Sequence, residues 1–168
     1  LFAVYINGKR HDASTLHFVD AKVDYQTAGV QHVIGRFADK TFEVQHHLKV
    51  YADTALTETW QTIKNTSANT LELNRVDSFA LDIPRAFYNL LYYTGAWGRE
   101  FEGVETPLEE SVVIDSKTGR SSKGHHPWFA LTRENGTVLS GSVAWSGNWV
   151  IRFEPKSEGG FSLSGGLH

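Results

Sequence analysis

Thr41-Phe42-Glu43-Val44-Gln45-His46-His47-Leu48-Lys49-Val50-Tyr51-Ala52 is the stretch that decides the fold. Phe42, Val44, His46, Leu48, Val50 and Ala52 fall on one face. Thr41, Glu43, Gln45, His47 and Lys49 fall on the other. A period of two is the mark of a β-strand with one face buried. The register is constrained, because a slip of one residue would turn the whole apolar set to water. Residues 16–25 repeat the pattern: Val19, Ala21, Val23 and Tyr25 alternate with Asp20, Lys22 and Asp24. They predict a second half-buried strand. On the long strand, His46 reads as a core histidine with a satisfied hydrogen bond, and His47 as solvated.

Working outward, residues 56–65 are rich in Thr, with Trp60 and Ile63, and read as strand. Asn65 to Asn69 is a polar turn, and Leu71 to Leu81 is extended until Pro84 breaks the run. Arg85 to Tyr93 fits a strand better than a helical turn, because Tyr92-Tyr93-Thr94 is β-prone. Val112 to Ile114 is a short β-branched run. Trp128 to Thr132 leads into Glu134-Asn135-Gly136, a hairpin signal. Val138 to Trp145 follows. Ser146-Gly147-Asn148 turns the chain, and Trp149, Ile151 and Phe153 alternate beyond it. Ser157 to Gly160 makes the last turn before Phe161 to Leu163. Many strands, regular turn signals and no long helix predict an all-β antiparallel sandwich forming one domain over residues 1–168.

Bulk properties narrow the function. The chain has 168 residues, 40% hydrophobic and 21% charged, an ordinary globular mix. Net charge is −3 with both signs interspersed, so the electrostatic footprint of a nucleic-acid binder is missing. No stretch is apolar for long enough to cross a bilayer. With no Cys, disulfide frameworks, thiolate nucleophiles and zinc–thiolate sites are excluded, which fits a cytoplasmic protein. The sequence opens on Leu1 and reads as a fragment of a longer protein, cut at both ends.

Candidate chemistry is sparse. Adjacent His residues on a strand point to opposite faces, so neither His46-His47 nor His125-His126 can bite one metal from a straight strand. His125-His126 lies between Gly124 and Pro127 and reads as loop. Ser121 and Ser122 lie near His125, but no nucleophile elbow surrounds them. Glu100, Glu102, Glu105, Glu109 and Glu110 cluster in what reads as a solvated loop, and spacing selects no pair to face each other across a glycosidic bond. Trp97, Trp128, Trp145 and Trp149 divide between core residues and platforms for a sugar ring. Trp97 stands apart in Gly95-Ala96-Trp97-Gly98, which reads as loop. No catalytic residue, metal or cofactor is expected.

Three segments resemble a known family. Thr94-Gly95-Ala96-Trp97-Gly98-Arg99-Glu100 is similar to a stretch in the N-terminal domain of family 36 glycoside hydrolases, the α-galactosidases. Gly119-Arg120-Ser121-Ser122-Lys123-Gly124-His125-His126-Pro127-Trp128-Phe129-Ala130-Leu131 resembles the next, and Ala144-Trp145-Ser146-Gly147-Asn148-Trp149 a third. They occur in the family's order, and the likeness runs from about Lys40 to the C-terminus. His126 departs from it, standing where the family often has Asn. The resemblance implies a β-supersandwich of the galactose-mutarotase type ahead of a (β/α)8 barrel. That barrel carries the two Asp residues of a retaining mechanism on terminal α-D-galactosyl groups. The domain itself is then non-catalytic. Its partners are its own barrel, a galactoside through the parent enzyme, and further copies in a homo-oligomer. Substrate-binding candidates on its loops are Trp97, Arg99, Glu100, His125, His126 and Trp128.

Two other readings stay open. His125-His126-Pro127-Trp128-Phe129 resembles the stretch around the first catalytic His of galactose mutarotases. That chemistry needs a second His and a Glu further along, and after His126 the next His is His168. A free-standing carbohydrate-binding module is the other.

Overall fold

The computed structural model describes residues 1–25 and 27–167. Every regular element among them is a β-strand, and the strands pair antiparallel. The chain divides into two compact units, Leu1–Phe79 and Ala80–His168.

In the first unit, β1 (Ala3–Ile6) and β2 (Lys9–Asp12) form a hairpin. Its turn holds Asn7 and Gly8 at φ 52° and 74°, the left-handed pair that a tight two-residue hairpin requires. β3 (His17–Asp24), β4 (Val30–Ala38), β5 (Phe42–Tyr51) and β6 (Thr57–Asn65) then run as a meander in sequence order. β7 (Leu73–Ile83) pairs with β1, Val4 opposite Val76. The polar turn after β6 is built by Asn65. Its Oδ1 accepts from the Ser67 amide at 2.9 Å, and its Nδ2 donates to the Asn69 carbonyl at 2.8 Å.

The long alternating strand is β5, and Phe42, Val44 and His46 are buried on one face as the pattern requires. Phe42 and Val44 join Phe2, Val4, Ile6, Leu16 and Phe37 in one apolar cluster. The cover is short. At the usual strand rise the four residues of β1 span about 13 Å, against about 34 Å for the ten of β5. Leu48 and Val50 therefore stay half-buried, and Ala52 lies exposed beyond the strand.

The same geometry corrects the expectation for residues 16–25. They form a strand, but Val19, Tyr25 and Val23 (47% accessible) are exposed. β3 is the edge of its sheet, beyond the reach of the covering hairpin. A bulge at Val19 also breaks the register between the pairs Phe18–Phe37 and Asp20–Arg36. A bulged edge carrying charge resists pairing with foreign strands.

His46 is buried as expected. Its ring stacks on Phe2 at 5.2 Å, and Gln61 Nε2 lies 3.1 Å from its Nδ1. His47 is not solvated. It is buried on the opposite face, because Trp60 stands directly across on β6 and stacks on it at 4.7 Å. Burial is the main force holding His46, His47 and His11 below the ordinary imidazole range, with His46 lowered to about 4.

The second unit contains β8 (Tyr88–Ala96), β9 (Arg99–Pro107), β10 (Val112–Ser116), β11 (Gly124–Arg133), β12 (Val138–Ser142), β13 (Trp149–Pro155) and β14 (Phe161–Leu167). The Arg85–Tyr93 segment is strand from Tyr88 onward, anchored where the Tyr88 hydroxyl donates to the Pro84 carbonyl at 3.0 Å. One sheet has the order β12-β11-β8-β9; β13 pairs with β10 on one side and β14 on the other. Phe129 of the first meets Phe153 of the second edge to face at 5.3 Å. Leu90, Leu131, Ile114, Ile151 and Leu163 fill the space around them. Val150 is buried as well as Trp149 and Ile151, so β13 is covered on both faces. These layered antiparallel sheets make the protein an all-β sandwich.

The histidines generate a pH dependence for the first unit. A folded-state pKa below the unfolded value means that the unfolded chain binds more protons across the intervening range. Stability is full above about pH 6.5, the unfolded imidazole value, and falls as pH drops toward the folded value of about 4 for His46. The urea midpoint is expected to decline between pH 7 and 4, and His46→Phe, which keeps a ring on Phe2, to flatten that slope. A wild-type midpoint constant over this range contradicts the assignment.

Candidate functional site

The β8–β9 hairpin turns through Trp97 and Gly98, with Ala96 paired to Arg99. Gly98 takes φ 72°, open to glycine at no steric cost. Trp97 at the tip is 100% exposed. Below the tip the ladder is irregular. Between the pairs Thr94–Glu102 and Ala96–Arg99, the single residue Gly95 faces both Glu100 and Phe101. Phe101 absorbs this bulge at φ 58°, a left-handed conformation that costs a non-glycine residue about 1–2 kcal/mol.

What offsets that cost is visible. The Phe101 ring stacks on His126 at 4.0 Å with 25° between planes. His126 is 9% accessible, and its Nε2 has no hydrogen-bond partner among the described residues. The imidazole lies over Gly95. A Cβ there would stand 3.1 Å from His126 Nε2 and 2.9 Å from the Ser122 carbonyl oxygen. The hairpin can thus bulge at this point only because residue 95 has no side chain.

The loop between β10 and β11 is held from the other side. The Trp149 indole donates to the Ser121 carbonyl at 2.6 Å, and the Gly119 amide to Asn148 Oδ1 at 2.8 Å. The Ser116 hydroxyl donates to the Arg120 carbonyl. Gly95, the Gly119–His126 segment and Asn148-Trp149 therefore meet in space, although they come from three separated stretches. Ser121 and Ser122 contribute backbone carbonyls here.

The six residues singled out from sequence divide. Trp97, Arg99 and Glu100 share the exposed tip, where Arg99 Nε bonds Glu102 Oε1 at 2.9 Å. That exposed pair contributes at most about 1 kcal/mol. His126 is the tip's support. His125-His126 is not loop: both residues open β11, and so point to opposite faces. His125 Nδ1 lies 3.0 Å from the Asp115 carbonyl, which ties β11 to β10. Trp128 is half-buried against Tyr93 at 5.5 Å. Trp149 is core at 0% accessibility. Glu100, Glu102 and Glu105 lie on strand β9 rather than in a loop, though they are exposed as expected. His168 lies outside the described residues.

Sequence reading missed Phe101 and Tyr93. Phe101 sits 6.2 Å from Tyr93, so His126, Phe101, Tyr93 and Trp128 form a row of rings leading to the tip. The arrangement combines a strained bulge, a row of ring contacts of which only His126 is buried, and a fully exposed indole at the tip. Gly95→Ala tests it, since the new methyl group meets a backbone carbonyl that cannot rotate away. The expected loss is about 1–3 kcal/mol in urea unfolding. Full wild-type stability in that variant would show that the imidazole does not lie over residue 95.

Comparison with known proteins identifies the family. A family model described as "Glycosyl hydrolase family 36 N-terminal domain" matches residues 9–168. Alpha-galactosidase AgaA of Geobacillus stearothermophilus is 32% identical over 111 residues, 62% of this chain and 15% of its own length. An alpha-galactosidase of Escherichia coli is 28% identical over 93 residues, 51% of this chain and 13% of its own. Among solved structures, the galactosidase domain of the alpha-galactosidase-sucrose kinase AgaSK superposes with TM-score 0.87 at 20% identity, covering 99% of this chain and 26% of that one. The structure of AgaA gives 0.85 at 22%, with the same coverage. These likenesses establish the shared fold, and the chain spans about 15% of the curated relatives' length and about a quarter of the solved chains. With all but its first eight residues matched, the chain belongs to the N-terminal domain family of the family 36 glycosyl hydrolases.

Proposed function

We propose that the chain is a non-catalytic part of a cytoplasmic, homo-oligomeric α-galactosidase, and that its β8–β9 hairpin docks on a catalytic (β/α)8 barrel. The parent enzyme hydrolyses terminal α-D-galactosyl residues with carboxylates carried by the barrel. The observation behind the docking role is Trp97, fully exposed at the tip of a hairpin whose geometry is locked from beneath. Exposing an indole on a stiffened support is costly unless a partner buries it. Trp is among the residues most enriched at the energetic centre of protein interfaces. Pre-ordering the hairpin removes part of the entropy cost of binding.

A sugar platform is the competing use of the ring. Sugar sites are concave, with several polar groups converging on the ligand. Trp97 stands at a hairpin tip with Arg99 turned to Glu102 instead. The surroundings favour a protein groove as the first contact, with Arg99 and Glu100 at its polar rim.

The reading is tested on the full-length enzyme. Trp97→Ala is expected to lower kcat/KM on an aryl α-galactoside about tenfold or more, the scale of an interface anchor worth 1.4 kcal/mol or above. This chain alone is expected to give no turnover. Robust hydrolysis by the chain alone overturns the non-catalytic assignment, and full activity of the variant overturns the docking role. Calorimetric heat on titrating galactose into the isolated chain, abolished by Trp97→Ala, would shift the assignment to sugar binding.

A further inference from the structure

On the face of the β3–β6 sheet opposite its apolar cluster, two imidazoles meet across neighbouring strands. His32 Nε2 lies 3.1 Å from His47 Nδ1. We propose that these two nitrogens form a bidentate site for a borderline divalent transition-metal cation: Cu²⁺, Ni²⁺ or Zn²⁺.

The spacing is the first argument. Imidazole nitrogen binds such ions at about 2.0–2.1 Å. Two nitrogens in adjacent positions around one ion are then about 2.9 Å apart at a right angle and about 3.4 Å at a tetrahedral one. The observed 3.1 Å falls between these limits. In the absence of an ion the same two nitrogens share a hydrogen bond, which the ion would replace. The strand rule that keeps the adjacent pair His46-His47 from chelating does not apply, because His32 and His47 come from different strands on one face: Ile34 is paired with His47, and His32 with Lys49.

Orientation is the second argument. His47 Nε2 lies 3.1 Å from Thr62 Oγ1 on β6. With the ring proton on Nε2 and donated to Thr62, the lone pair of Nδ1 is turned toward His32. An outer partner that fixes tautomer and ring angle is the usual companion of a metal-binding histidine. Trp60, stacked on His47 at 4.7 Å with 5° between planes, clamps the same ring. Burial, and then the nearness of His32, keeps His47 below the ordinary imidazole range, so its lone pair is free at neutral pH. His32 supplies its own Nε2 lone pair once its ring proton sits on Nδ1.

The surroundings admit a cation. Charged residues on this face are Asp20, Lys22 and Asp24 on β3, Arg36 on β4, Glu43 and Lys49 on β5, and Glu58 and Lys64 on β6. Arg36 is engaged by Asp20, its Nε 2.7 Å from Oδ1. Lys49 Nζ lies over the Trp60 ring at 5.4 Å. No group of three or more His, Cys, Asp or Glu side chains gathers for a metal among the described residues, so water completes the coordination. The site is therefore one of exchange rather than of permanent structure.

The test uses the chain with CuCl2 and ZnCl2. Cu²⁺ titrated to one equivalent is expected to give an electron paramagnetic resonance spectrum with coupling to two imidazole nitrogens. Zn²⁺ is expected to raise the melting temperature through binding to the folded state. His32→Gln, at a half-buried position that leaves Trp60 on His47, is expected to weaken both ions at least tenfold and to reduce the coupling to one nitrogen. His47→Gln supplies the second arm if it folds. Absence of binding in the wild type overturns the proposal and leaves a hydrogen-bonded pair. Unchanged binding in His32→Gln overturns it too, by placing the ion at another histidine.

Discussion

The contact between the His126 imidazole and the bare Cα of Gly95 is where the second unit gains its working shape. Ladder pairing alone would run β8 and β9 as a regular ribbon to the turn. The imidazole instead occupies the space above Gly95, and the opposite strand carries one residue too many. That extra residue forces Phe101 into the left-handed region, and Phe101 then closes over the same imidazole. Each element of this arrangement needs the others. Without the glycine the imidazole has no room, and without the imidazole the bulged phenylalanine loses its stacked partner and keeps only the edge contact with Tyr93. Strained backbone of this kind gathers at places with a role beyond folding. Here the place is the base of the hairpin that lifts Trp97 into solvent.

Burial governs the first unit in a different way. Packing is dense at Phe37, Phe42 and Val44 and thins toward Leu48 and Val50, where the contact from β7 is polar, with Thr59 and Gln61 donating to the Ser78 carbonyl. Imidazoles fill places at the margin of that core. His46 and His11 pack on Phe2 and Phe42, two of the three phenylalanines of the cluster. An imidazole there can satisfy one hydrogen bond while presenting a flat face to a ring. The arrangement ties the core to pH, since each of these groups must stay neutral to remain where it is.

Much of the fold was legible because it rests on local patterns. The alternation of β5, the Glu134-Asn135-Gly136 turn and the alternation of Trp149, Ile151 and Phe153 each specify their element without reference to the rest of the chain. The family motifs were legible as words in order, and the structure shows why they go together: Gly95, Ser121, Ser122, His126, Asn148 and Trp149 share one set of contacts. What escaped was set by pairing across long separations. Pro127 and Gly124 suggested a loop around His125-His126, but β8 recruits both ends of that segment into a strand, with the register slipping between His125 and Phe129. Val19 and Val23 carried the same alternation as β5, yet period says only that one face is apolar. Whether anything covers that face depends on layers that the strand itself does not encode. His47 was misplaced for the converse reason: a polar-face position became buried because Trp60 lies across from it.

The division between a rigid tip and absent chemistry follows from what each requires. Glycoside hydrolysis needs carboxylates held at fixed separation with water under control. The acidic residues of this hairpin are exposed on a strand, and the Arg99–Glu102 ion pair at the tip is open to solvent. Presentation of an aromatic anchor has the opposite needs. It tolerates solvent before contact, gains from stiffness, and draws its energy from desolvation when a partner closes over it. The ring contacts from Trp128 through Tyr93 and Phe101 to His126 support the hairpin from below with side chains alone. The exposed indole and the strained bulge beneath it meet the second set of needs rather than the first.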